Sequence, residues 1–541
     1  MINRTTQSLL GALGVLALTL GIAEIHPPKG EAAASGSSVA TAVSQTTVVC
    51  PPPLQGQSGS SLYSLAVPGA VSGGSGAGGS GSGSSGSGGA SSAAGAALAP
   101  LSAPGSGSAS SSPSASSSAS SSSSSSPSSS ASRSSSASGS ASAAPNASAS
   151  PSAGVTSPPI AQQTQTGGGT TAKAPSGQNA PAMVGTANGA LAPGFSVQQN
   201  TVASGSLSGI SCTHPGTDFW FVGADSNNGS TGYVELSNPQ ADAADADIQV
   251  FGPNGEVTST AASNISIPGN GSTSLLLSTL VQPGNGGQDL AVHVMVRSGQ
   301  IAAALHMDTN SGADWVPATT QGSSAYLPGL PGDLHQYNLD VYVPGGQDAD
   351  LKVQLASQSG LITPAGHETV HIKSGTLSSF SLGDLTRGQG GMLELTPTDP
   401  KGDAVPFVAG ISTGNSNDTA YLAGVAPITQ RGTVAGNASG NTLLLSAPNG
   451  AAGVTVTSIG SSGSPATKTV QIPAGSTVSV QLQSPGGSGP FGVTVTPTSG
   501  GPVYAAREIN DRDGLTIQQI PDDRSTVLVP TVIRNAAILV Q

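Results

Sequence analysis

His367-Glu368-Thr369-Val370-His371 matches HExxH, the pattern in which two histidines hold zinc and the glutamate acts as general base. That chemistry needs a helix, because only there do residues i and i+4 share one face. Here Pro364 and Gly366 precede the motif and Lys373-Ser374-Gly375 end it. The segment ETVHIKSGT also aligns with TKTVQIPAGST further along, which alternates as a strand does and places Gln471 opposite His371. In a strand, four residues span roughly 13 Å, whereas both imidazoles must come within about 2.1 Å of one ion. The motif is therefore read as a strand that binds no zinc.

The other chemistry-bearing residues are sparse. Asp242, Asp245 and Asp247 form an acidic cluster between two strands, without EF-hand spacing or a supporting glutamate, and read as a solvated turn rather than a calcium site. Asp314, Asp418 and Asp513 recur in connectors, where Asx-turn chemistry accounts for them. Trp220 and Trp315 read as core or inter-domain packing rather than a sugar platform. His293 and His306, with the aspartates, are raw material for a hydrolase only if a cleft brings them together. No nucleophile elbow, P-loop or dinucleotide fingerprint is present, so no catalytic residue, metal ligand or cofactor is assigned. Cys50 and Cys212 are the two cysteines; in an exported chain they form one disulfide, and neither sits in a CxxC.

The elements that would carry these residues follow from a repeat. An apolar run ending in proline occurs as YVELSNP (Tyr233 to Pro239), NLDVYVP (Asn338 to Pro344) and TLLLSAP (Thr442 to Pro448), with prolines 105 and 104 residues apart (344 − 239, 448 − 344). Ala303, Ala409 and Ala505 recur in register in a later run. A period of about a hundred residues suits a whole small domain. Within it, short Val, Leu, Ile and Thr runs alternate with polar residues and stop at turn residues, the pattern of a β-sandwich. The fold class is all-β: three tandem immunoglobulin-like β-sandwich repeats over 196–320, 321–428 and 429–520, with a C-terminal strand segment at 521–541.

Ahead of them the composition changes. Residues 8–23 form an uncharged apolar run behind Arg4, so 1–25 is a signal anchor or signal peptide. The small residues Ala32 to Ala34 lie far enough beyond the run to favour an uncleaved anchor, with 26–45 as a tether. From 68 to 195 the chain is almost wholly Ser, Gly, Ala, Pro and Thr, with only Arg133 and Lys173 charged, and is expected to be disordered. Val48 to Leu54 resembles the strand that introduces each repeat, so 46–67 is assigned to the first domain and the tract becomes an insertion within it, stapled by Cys50 and Cys212. The rival arrangement is one continuous stalk. Residues 218–541 carry 25 acidic and 11 basic residues, a net of −14 (11 − 25). That balance argues against nucleic acid, which needs Lys and Arg to displace counterions.

VVCPPP, SCTHPGTDFWFVG (Ser211 to Gly223), ELSNP, DWVPA and PVYAAR together resemble an actinobacterial domain-of-unknown-function family of secreted or membrane-anchored envelope proteins. The resemblance covers 46–54 and about 205–541. It implies an exported, envelope-associated β-protein and supplies no catalytic residues. The expected function is a non-enzymatic, membrane-anchored extracytoplasmic protein that binds or spaces a cell-envelope protein or cell-wall glycan. A glycan- or peptidoglycan-binding module and a hydrolase with an inter-domain site are the alternatives.

Overall fold

A computed structural model describes residues 39–53, 59–69, 95–101, 158–176, 180–282, 287–402, 404–461, 464–486 and 489–529. The chain divides into two compact units, Ser44–Asp523 and the two terminal segments Met1–Val43 and Arg524–Gln541. In the terminal unit, Val39–Ala42 pairs antiparallel with Thr526–Val529. The apolar run at 8–23 lies outside the described residues, so the anchor and most of the tether do too. No helix among the described residues is long and apolar enough to cross a membrane.

Ser44–Asp523 is built of antiparallel strands, and the all-β reading holds. The strands gather into four two-sheet sandwiches rather than three. Each has eight main strands: taken in chain order, one sheet runs first–sixth–third–fourth and the other fifth–second–seventh–eighth. The first strands are Gln45–Cys50, Asp218–Asp225, Ala325–Leu330 and Gly432–Asn437. The eighth are Ser206–Ser211, Gly312–Val316, Thr419–Ala423 and Gly514–Gln519. The repeat register is visible between second and seventh strands. Leu65, Leu236, Val341 and Leu445 pair with Val197, Ala303, Ala409 and Ala505. Each of those four second-strand residues stands three before a proline: Pro68, Pro239, Pro344 or Pro448.

Three expectations are corrected here. The boundary at 196 falls inside a sandwich, because Ser196–Ala203 and Ser206–Ser211 are the seventh and eighth strands of one that begins at Gln45. The strand that introduces the YVELSNP repeat is DFWFVGAD (Asp218–Asp225), immediately upstream; Gln45–Cys50 introduces an additional, earlier sandwich. The tract at 68–195 is not one disordered insertion. Ala96–Pro100, Ala161–Gln163, Gly168–Ser176 and Met183–Asn188 are strands within it. Small apolar side chains suffice there: Leu98 and Ala161 are buried, as are the bulkier Tyr63 and Leu65, while Ala182 and Val184 pack with Val49, Leu101 and Ala302.

Residues 102–157 lie outside the described residues. Their flanks are paired, Leu98 opposite Ala161, with Ile160 N donating to Leu98 O at 2.8 Å. Replacing 104–155 by a short Gly/Ser turn is therefore expected to leave the urea unfolding midpoint unchanged, since the ladder already holds both ends. A lowered midpoint would contradict this. Deleting 75–190 would instead remove four strands and unfold the first sandwich.

Each sandwich packs on the next, and the fourth packs on the first. The seam between sandwiches one and two buries Ala203, Ala304 and Trp315. Between two and three, Trp220, Val222, Phe251, Tyr342 and Val408 interdigitate. Between three and four lie Ala356, Met392 and Tyr504. The closing seam is more polar: Arg431 Nε donates to Asp523 at 2.5 Å and its Nη2 to Pro193 O at 3.2 Å, while Gln518 Nε2 donates to Asn200 Oδ1 at 3.0 Å.

Candidate functional site

The four eighth strands meet at the centre of this ring, around one carboxylate. Ser206, Gly312, Asp418 and Gly514 occupy the same position at or just before the start of each strand. The following residue in all four turns its N–H to Asp418: Leu207 at 2.9 Å and Leu515 at 2.8 Å to Oδ2, Ala313 at 3.2 Å and Thr419 at 3.0 Å to Oδ1. Glycine is required beside it, since a Cβ on Gly312 or Gly514 would lie 2.3 Å from a carboxylate oxygen, and both have positive φ. Asp418 is fully buried. Burial raises its pKa and outweighs the four amides that pull it down; the four N–H donors fill the acceptor directions of the carboxylate. Asp314 nearby accepts from Gly209 N and Trp315 N, both at 2.8 Å. Burial, with Asp418 adding to it, pushes Asp314 well above the usual carboxylate range. The upward push is the larger at Asp314.

Asx-turn chemistry therefore does not account for Asp314 or Asp418. The turns are made by Asn415 and Asp511, whose side chains accept from Asn417 N and Asp513 N. Asp314 lies within an eighth strand and Asp418 at the head of one.

The remaining candidates serve the seams. Trp220 and Trp315 are buried, as expected of packing residues. Trp220 stacks on His293 with centroids 3.8 Å apart, and His293 Nε2 lies 2.9 Å from Asp218 Oδ2. His306 Nε2 lies 3.2 Å from Ser208 Oγ, a Ser–His pair in outline. But Ser208 donates to Ala313 O at 2.8 Å, and Trp315 packs edge-on to the imidazole. Burial pushes His306 down to about 3, so it cannot act as a base that cycles near neutrality. The pair is a strut between sandwiches one and two.

HExxH falls as expected: Thr369–Ile372 is a strand, with His367 in the loop before it. His371 Nδ1 lies 2.8 Å from Asp350 across the ladder, and Glu368 accepts from Gly366 N. Asp245 and Asp247 lie in the strand Ala244–Gly252 rather than in a loop, because Ile265–Ile267 pairs alongside. Asp247 pairs with Arg297 and accepts from Asn264 N at 2.7 Å. Among the described residues no three His, Cys, Asp or Glu side chains converge at coordination spacing. Cys50 and Cys212 are bonded, as expected. They join the end of the first strand to the residue after the eighth, closing sandwich one on itself.

One concave surface escaped the sequence reading. Where sandwich two crosses sandwich three, a polar cleft of about 600 Å³ opens. The first strand of sandwich two bulges between Val222 and Ala224, with Gly223 at φ +111°. Gly410 admits that bulge: a Cβ there would lie 2.1 Å from Val222 O. Below it sit Asp340 and Tyr421, with Asp225 and Asp289 further along the wall. Asp340 is 4% exposed, and its Oδ1 has no hydrogen-bond partner in the protein. Burial first, then Asp289 and Asp225, push it up to about 7, against a Ser379 hydrogen bond.

Burial likewise pushes Glu235 and Glu508 up to about 7. Between roughly pH 4.5 and 7 these groups hold protons in the folded chain that the unfolded chain has released, so stability falls as pH rises through that window. His306 opposes this only below its unfolded value of roughly 6.5. The urea midpoint is expected to fall from pH 5 to pH 8; a midpoint that climbs over that range would contradict these assignments.

The family model of DUF5719 matches residues 171–483, from within the fifth strand of sandwich one to just past the fifth of sandwich four. No curated protein and no solved structure matches the chain. The matched stretch exceeds half of the 541 residues, and the chain belongs to the DUF5719 family, a family of unknown function.

Proposed function

We propose that this chain is a non-catalytic, extracytoplasmic interaction module of an actinobacterial cell envelope, held near the membrane by its N-terminal apolar segment. The observation that carries the reading is that His293 and His306, the histidines an inter-domain hydrolase site would draw on, are held in the framework. Ser208 and His306 are buried in a seam with the serine proton already donated, and His293 is stacked under Trp220. A hydrolase needs a base that a substrate can reach. The disulfide supports an oxidising compartment, and the acidic surface supports solubility outside nucleic-acid complexes. The test is a membrane-impermeant cross-linker applied to intact cells, with the full chain as bait. Envelope proteins or wall polymer captured on the chain support the reading. A chain that stays unlabelled in intact cells, or purified protein with a hydrolytic turnover lost in His306→Ala or His293→Ala, would overturn it.

A further inference from the structure

We infer that the cleft between sandwiches two and three is a binding site for a neutral, hydroxyl-rich sugar chain, which deepens the interaction-module reading and rests on it. Fourteen of the seventeen residues that line the cleft are Asp, Asn, Ser or Thr, and none is Lys or Arg. Short amides, hydroxyls and carboxylates offer donors and acceptors at close spacing, which suits a ligand carrying several hydroxyls rather than one large apolar body. The volume of about 600 Å³ falls within the range of small-ligand sites. Asn338 is exposed on the same wall and offers its amide to a ligand hydroxyl, whereas Phe380 packs against the core of sandwich three.

The independent sign of a ligand is Asp340. A carboxylate oxygen buried without a partner is costly and seldom kept without a reason. Asp340 lines the cleft with 4% of its surface exposed, so a hydroxyl seated there would meet the edge of this carboxylate. Nothing in the fold demands an acid at this position. In the second strands, the residue paired with Gly410 in sandwich three corresponds to Glu235, Ser64 and Leu444 in the others. Glu235 is satisfied by Ser274, whereas Asp340 Oδ1 is not satisfied by any protein group. A metal fits less well, because Asp225, Asp289 and Asp340 share the wall without converging at coordination spacing.

The experiment is isothermal titration of the full chain with cellotetraose, the β-1,4 tetramer of N-acetylglucosamine, an α-mannotetraose, and pentalysine as a cationic control. At least one neutral tetrasaccharide is expected to bind with a Kd of roughly 1 mM or tighter. Asp340→Asn and Asn338→Ala are each expected to weaken it roughly tenfold or more, with the unfolding midpoint no lower than the parent's in Asp340→Asn. Three results overturn the proposal: no neutral oligosaccharide binds, binding survives both variants, or only pentalysine binds and Asp340→Asn abolishes it. None of these touches the interaction-module reading, which stands on its cross-linking test. Cleavage of a bound oligosaccharide would instead sink the non-catalytic reading while leaving the site in place.

Discussion

Asp418→Ala is expected to destabilise Ser44–Asp523 by about 4 kcal/mol or more. The substitution leaves four buried N–H groups without an acceptor, three of them from other sandwiches, and each orphaned donor costs roughly 1–3 kcal/mol. Asp418→Asn should fare little better, because its NH2 faces two amide donors where an oxygen belongs. Asp314→Asn is the matched control. Burial pushes Asp314 toward its neutral form, so an isosteric amide should cost little and should remove part of the pH dependence. Urea titration followed by tryptophan fluorescence reads both, since Trp220 and Trp315 are buried in seams. A wild-type midpoint for Asp418→Asn would show that the four amides find other partners.

Removing the disulfide is expected to have the next largest effect. Cys50 and Cys212 are 162 residues apart, and cross-linking a loop of that length stabilises by about 5 kcal/mol in the chain-entropy model, with native bridges typically giving 2–5. Cys50→Ser/Cys212→Ser should lower the urea midpoint accordingly, and dithiothreitol should reproduce the shift in the parent but not in the variant. The loss should begin in sandwich one, so fluorescence from Trp315, at the seam with it, should change before that of Trp220. An unchanged midpoint in the double variant would mean that Val49 and Thr213, which exchange backbone hydrogen bonds beside the bridge, already fix the junction.

Much of the framework was legible because strands announce themselves by alternation and proline ends the second strand of each sandwich. The HExxH segment could be read as a strand from its repeat partner alone. The first sandwich stayed hidden for two physical reasons. Its second strand, ending at Pro68, faces Val197 where the others face alanine. Its third and fourth strands are separated by the Ser-rich stretch, which breaks the hundred-residue spacing. The hub was masked differently. Asp418 follows Asn415-Ser416-Asn417 and looks like one more turn aspartate. The available signal was its alignment with Ser206, Gly312 and Gly514, three small residues making room for one carboxylate. For the cleft, alternation does place Asn338 and Asp340 on the face away from the core of sandwich three. That the neighbouring bulge buries this face depends on how the sandwiches pack, which no local pattern carries.

The central claim is that four sandwiches close into one cooperative ring around a shared carboxylate. Native-state hydrogen exchange of the full chain tests it most directly, through the amides of Leu207, Ala313, Thr419 and Leu515, one from each sandwich. The account predicts that all four exchange at a common slow rate, with one denaturant dependence equal to that of global unfolding. Four separate rates, each following the opening of its own sandwich, would contradict it.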